Sequence, residues 1–170
     1  MDKEAYSKTE GLLYGHYRDI NRLKSLEIHI QTIKDTIDKI DNKIKECDVK
    51  VDYYQSGIEI TEKVQTSSQG LSYAEKEIIK GIDSLEREKA HNIRKLFKLE
   101  CTERNLRNKI KKIESNINML NEEYKKFIQL KYNKELGVRE VAIEMNMSKN
   151  AAYSLKDKII ESIYSYTWIF

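Results

Sequence analysis

The chain has 170 residues, 39% hydrophobic and 35% charged, with no proline and a formal net charge of +3. Lys, Glu, Ile and Leu at that density exclude a thick sheet core and suit long, solvent-washed helices, so an almost all-α protein is expected. The small net charge does not by itself demand a polyanionic partner.

Cys47 and Cys101 stand far apart, with no Cys or His at ligand spacing. That excludes a disulfide framework and a zinc site and fits a reducing cytosol. The polar stretch Met1 to Glu10 lacks the apolar core of a signal peptide, and no run approaches the ~18 apolar residues of a membrane span. A cytoplasmic protein with no membrane contact is expected. His16, His29 and His91 have no nucleophile or ligand set beside them, and the 6 glycines form no phosphate loop. No catalytic residue, metal or cofactor is therefore expected, and the chain is read as not an enzyme.

In chain order, the first feature is a seven-residue repeat: Leu23, Leu26, Ile30, Ile33, Ile37, Ile40, Ile44, then Cys47 and Val51. Steps of three and four place these on one stripe of a helix, the seam that a coiled coil buries. Extending the repeat backwards puts His16 and Asp19 in the seam, so it is expected to begin near Leu23. Between about Asp48 and Ser72 it fails, and Tyr53, Tyr54, Ser56, Gly57 and the polar run from Thr66 to Gly70 predict a connector. Residues 1–72 are thus read as one coiled-coil helix with its connector.

A second repeat runs through Ile78, Leu85, Leu96, Leu99, Leu106, Ile110, Ile113, Ile117 and Leu120, with Lys89, Asn92 and Glu103 as polar seam positions that fix alignment. A continuous helix from Tyr73 to Ser115 would span roughly 65 Å. Residues 73–117 form this second unit. The two long helices can fold back as an antiparallel hairpin or each pair with another chain; a homodimer through the coiled coil is the expected assembly. From Lys89 to Lys112, Lys89, Arg94, Lys95, Lys98, Arg104, Arg107, Lys109, Lys111 and Lys112 face only Glu100 and Glu103. Such a band can attract phosphates, and a solvated helix face looks the same.

Asn116, Asn118 and Asn121 interrupt the helix formers, and Asn121 before Glu122 and Glu123 predicts a helix start and a C-terminal domain over 118–170. Tyr124, Phe127, Ile128, Leu130 and Tyr132 give an amphipathic helix ending near Leu136 and Gly137. A short helix follows from Val138 to Met145, with Val141, Ala142 and Met145 on one face. Asn146 tolerates the left-handed conformation of a helix end, Met147 supplies an apolar anchor, and Ser148 is a natural N-cap. In the helix from Lys149, Ala152, Leu155 and Ile159 face inward, leaving Lys149, Asn150, Tyr153, Ser154 and Lys156 outside. This is the pattern of a helix-turn-helix that enters a major groove. The tail Ile163, Tyr164, Tyr166, Trp168, Ile169 and Phe170 is read either as packing over this domain or the coiled-coil end, or as a docking patch.

The run from Leu120 through Glu122, Glu123, Tyr124, Phe127, Ile128, Leu130 and Tyr132, then Val138, Glu140, Val141, Ala142, Met145, Met147 and Ser148, resembles the fourth region of bacterial sigma factors. More narrowly, it is similar to the sigma-like phage regulators of late transcription of the ArpU and RinA type. The match covers about Leu120 to Ile163, roughly a quarter of the chain. The resemblance implies that Lys149, Asn150, Tyr153 and Ser154 face base edges, that Arg139, Lys156 and Lys158 contact phosphate, and that Ser148, at the capped start, belongs to the same DNA-binding set. Ala151 and Tyr153 stand where the family often carries Arg, and no promoter-melting segment accompanies the match. The expected function is that of a phage-type transcription regulator that binds double-stranded DNA and uses its coiled coil for dimerisation or RNA polymerase contact. The alternatives are a structural or adaptor coiled-coil protein and a phage DNA-packaging recognition subunit.

Overall fold

A computed structural model describes residues 1–50 and 72–167, and every regular element among them is helical. The first helix, α1, runs Lys3–Lys45. Asp2 caps it, its Oδ1 accepting from the Ala5 amide at 2.7 Å. The helix closes where Cys47 takes φ 50° and the Asp48 amide donates back to the Lys43 carbonyl at 2.9 Å. The second helix, α2, spans Tyr73–Asn118. It opens on a reciprocal box in which Ser72 Oγ accepts from the Glu75 amide at 3.2 Å and Glu75 Oε2 accepts from the Ser72 amide at 2.6 Å. Then come α3 (Glu122–Ile128), a π-helical turn (Gln129–Asn133), α4 (Val138–Glu144) and α5 (Lys149–Thr167). No helix among the described residues is long and apolar enough to cross a membrane.

The chain divides into two compact units, Met1–Glu27 with Cys101–Phe170, and Ile28–Glu100. The division cuts through both long helices, whereas the sequence pattern places boundaries at 72 and 117, where helices start or stop.

In the unit of residues 28–100, Ile30, Ile33 and Ile40 are buried, and Ile37, Ile44, Ile78, Leu85, Leu96 and Leu99 are half-buried. Lys34 Nζ lies 3.0 Å from Glu100 Oε1, and Lys89 pairs with Asp41. Numbers rising on one helix meet falling numbers on the other, so within this unit the segments of α1 and α2 pair antiparallel inside one chain. The polar seam residue Lys89 thus carries its own counterion. Cys47, expected in the seam, is instead exposed beyond the end of the helix. Val49 sits against α2, and a Cβ on Gly81 would collide with the Val49 side chain, so a larger residue there requires Val49 to shift. Val51 and the expected connector residues Tyr53, Tyr54, Ser56, Gly57 and 66–70 lie outside the described residues.

In the other unit, the buried stripe does not begin near Leu23. Thr9, Leu13, His16 and Asp19 are all buried, and the three-and-four spacing continues through Ile20, Leu13 and Thr9. Polar residues are tolerated because most are bonded: Thr9 Oγ1 donates to the Ala5 carbonyl at 2.9 Å, and Asp19 Oδ2 pairs with Lys109 at 2.6 Å. Arg107 bridges Glu27 at 2.7 Å and Glu103 at 2.5 Å. Leu13 is fully buried in one cluster with Leu120, Phe127, Ile128, Tyr132, Val141, Ala142, Ala152, Ile159 and Ile163. Tyr166 packs against this cluster, so the start of the apolar tail has the packing role; Trp168, Ile169 and Phe170 lie outside the described residues.

Gly11 and Gly15 are interior helical positions with no heavy atom within 4 Å of an added Cβ. Changing each to Ala should stabilise the fold by about 0.5–1 kcal/mol by restricting the unfolded chain; thermal melts of the single and double variants check this, an unchanged or lower midpoint counting against it. His16 is 2% exposed, its Nδ1 has no hydrogen-bond partner among the described residues, and it meets Tyr17 edge-on at 5.0 Å. Burial pushes its pKa below the ordinary value, against the pull of Glu114 and Asp19. The unfolded chain therefore takes up a proton that the folded chain resists, and stability should fall as pH drops below about 6.5. Denaturant titrations at pH 7.5 and 5.5 should show this loss in the wild type and a smaller one in His16→Leu.

Candidate nucleic-acid interface

The C-terminal helices are arranged by their ends. Asn121 Oδ1 accepts from the Tyr124 amide at 2.8 Å, starting α3 with Glu122 and Glu123 in its first turn. The π-helical turn carries Leu130 and Tyr132 inward, and the connection after it closes with Glu135 at φ 57° and the Leu136 amide donating to the Leu130 carbonyl at 3.2 Å. Helix α4 begins as the Gly137 amide donates to Glu140 Oε2 at 2.6 Å. At its end Asn146 takes φ 53°, the Met147 amide donates to the Ala142 carbonyl at 2.9 Å, and the Asn146 amide donates to the Ile143 carbonyl at 3.1 Å. These two returning bonds with a left-handed residue between them are a Schellman closure. Met147 packs against the core, and Ser148 Oγ accepts from the Ala151 amide at 3.2 Å to start α5. Four residues, Met145 to Ser148, thus turn the chain from one helix into the next.

On α5, Ala152 and Ile159 are fully buried and Leu155 is half-buried against the same cluster. Lys149, Asn150, Tyr153, Ser154 and Lys158 are exposed, as are Ser148 and, in the first turn of α4, Arg139. They form two rows. Lys149 and Tyr153 make one, the ammonium 6.0 Å from the ring centroid; Asn150, Ser154 and Lys158 make the other at four-residue spacing. A shallow groove of about 340 Å³ runs beside the second row, between Ala151, Ser154 and Lys158 of α5 and Asn121, Glu123 and Tyr124 of α3.

Lys156 is a correction to the sequence reading, which leaves it on the outer surface. Its Nζ lies 2.6 Å from Glu10 Oε1, the side chain is 16% exposed, and it sits 5.5 Å from the centroid of the Tyr6 ring. The reason is the start of α1, whose Tyr6 and Glu10 side chains meet α5 at this level. Tyr6 donates its hydroxyl to Asp157 Oδ1 at 2.7 Å, and its pKa is pushed up, by burial first and then by that carboxylate. Tyr132 donates to Glu10 Oε1 at 3.5 Å and meets the Tyr14 ring edge-on at 4.8 Å. Burial pushes the Tyr132 pKa up as well, aided by Glu10. The sequence reading misses Tyr6, Glu10 and Leu13; their i, i+4, i+7 spacing was the available signal.

The basic band is partly committed. Lys89, Arg107 and Lys109 are ion-paired with acidic residues of α1, while Arg94, Lys95, Arg104, Lys111 and Lys112 are exposed. No group of three or more His, Cys, Asp or Glu among the described residues is placed to hold a metal ion. The chain matches no protein-family model, no curated protein and no solved structure.

The left-handed turn gives a direct test of its geometry. Asn146→Gly should leave stability unchanged or slightly raised, whereas Asn146→Val should cost about 1–2 kcal/mol, read as a shift of the denaturant midpoint. Equal effects from the two substitutions would contradict a turn that depends on this conformation.

Proposed function

We propose that this chain is a DNA-binding transcription regulator of the phage or prophage type that reads duplex DNA with α4, the turn and α5 acting as a helix-turn-helix. The observation that carries the reading is the tight Schellman-closed turn leading into a Ser148-capped helix whose inner side is packed and whose outer side presents Lys149, Asn150, Tyr153 and Ser154. Such a helix can enter a major groove with its N-terminal half against base edges. The resemblance of residues 120–163 to the fourth region of sigma factors supports the same assignment.

In this reading Asn150 pairs with adenine and Lys149 with guanine O6 or N7, the pairings their donor and acceptor geometry favours. Tyr153 and Ser154 extend the contact, and Lys158 and Arg139 meet phosphate. Within residues 28–100 the segments of α1 and α2 pair inside one chain, and this reading assigns dimerisation and RNA polymerase contact to the remaining faces of the long helices. An adaptor role is the second reading, favoured by the three basic side chains committed to ion pairs inside the chain.

Binding to promoter fragments across a salt series separates the two. The regulator reading expects affinity that falls steeply with salt, and a loss of about 1–3 kcal/mol at the cognate site for Lys149→Ala or Asn150→Ala with unchanged melting temperature. Absence of salt-dependent binding, or wild-type affinity of both variants on every sequence, overturns it in favour of the adaptor.

A further inference from the structure

We propose that Lys156 and Glu10 form a clamp that positions the DNA-reading helix, so that the reading surface is built partly by the start of α1 and Lys156 itself does not touch DNA. The inference rests on the DNA-binding reading above and assigns Lys156 the role of a positioning residue.

Lys149, Tyr153 and Lys156 stand at i, i+4 and i+7 of α5 and so share one stripe. The stripe is open at Lys149 and Tyr153 and closes at Lys156, which is only 16% exposed, against a Glu10 side chain 20% exposed. The ammonium has the Glu10 carboxylate at 2.6 Å and the Tyr6 ring at 5.5 Å. The same carboxylate accepts from the Tyr132 hydroxyl, and the next residue, Asp157, accepts from the Tyr6 hydroxyl. Three segments distant in the chain, α1, the π-helical turn and α5, are thus tied at one point. A contact from Lys156 to a phosphate would have to break this pair and leave the Glu10 carboxylate sheltered from water without its counterion, which is the costly half of removing a covered ion pair. The exposed cations Lys149 and Lys158 carry no such cost.

Replacing both members of such a pair by apolar side chains of similar volume is tolerated far better than removing one. The test therefore compares full-length wild type, Lys156→Met and the double variant Glu10→Leu/Lys156→Met, by melting temperature and by affinity for a cognate duplex across salt concentrations. The clamp predicts that Lys156→Met melts lower and binds about tenfold more weakly with an unchanged salt slope, because α5 loses its placement and not a phosphate contact. The double variant should melt above Lys156→Met and bind within about twofold of wild type at the same slope. A slope reduced by about one in both variants means that Lys156 neutralises a phosphate, and overturns the inference. So does wild-type affinity in Lys156→Met, or a double variant that melts no higher than the single one. A wild-type protein that binds no duplex instead removes the DNA-binding reading, and the inference with it, and is recognised before any variant is compared.

Discussion

Burial of Leu13 is the contact on which the C-terminal helices depend. Helices α3 and α4 are seven residues each, too short to be stable on their own, and together with α5 they form a set of fewer than about 50 residues, a size at which a single core rarely suffices. Leu13, with no exposed surface, closes the cluster formed by Phe127, Ile128, Tyr132, Ile159 and Ile163. A segment from the start of the chain thus supplies the wall that the last quarter lacks, and the polar links of Tyr6, Glu10 and Tyr14 to Asp157, Lys156 and Tyr132 surround that apolar contact and fix its register. Apolar burial provides the energy, and the hydrogen bonds and ion pair select one arrangement among several that would bury similar area.

Charge does comparable selective work on the long helices. Pairs such as Lys34 with Glu100 are well exposed and contribute little to stability. The pair of Lys109 with Asp19 is different, because the Asp19 side chain is 11% exposed and would be costly to leave alone. A helix shifted by one heptad keeps its apolar seam but separates these partners, so they set which seam residues meet. The unusual density of charge in the sequence is in this sense a specification of alignment as much as of solubility.

The helices and the local turn were legible because each is encoded by neighbours. The heptads predicted both long helices, and Asn121, Asn146 and Ser148 marked the cap, the left-handed closure and the next cap where the structure has them. Three things were not legible. The stripe from Thr9 to Ile20 is masked in the sequence by the polarity of His16 and Asp19, which Lys109 and the packing around Tyr17 accommodate in the fold. Cys47 kept heptad spacing past a helix end set by its own left-handed backbone. Lys156 looked like a surface cation because its partner is 146 residues away in the sequence, beyond the reach of any periodicity.

The count of available cations constrains how the proposed reader could hold DNA. The outer rows of α5 offer Lys149 and Lys158, with Arg139 from α4, and the same helix carries the exposed acids Asp157 and Glu161. With each neutralised phosphate contributing roughly 0.9 to the salt slope, three cations on one copy give a slope near 3, well short of proteins that make six to ten phosphate contacts. Arg104, Lys111 and Lys112 are exposed in the same compact unit and left out of the seam, so the additional charge needed for tight binding is present in the unit that holds α5. A measured slope near 3 would assign binding to the α4 and α5 cations of one copy. A slope near 6 requires either these α2 residues or a second copy, and only the second places two copies of the chain on one duplex.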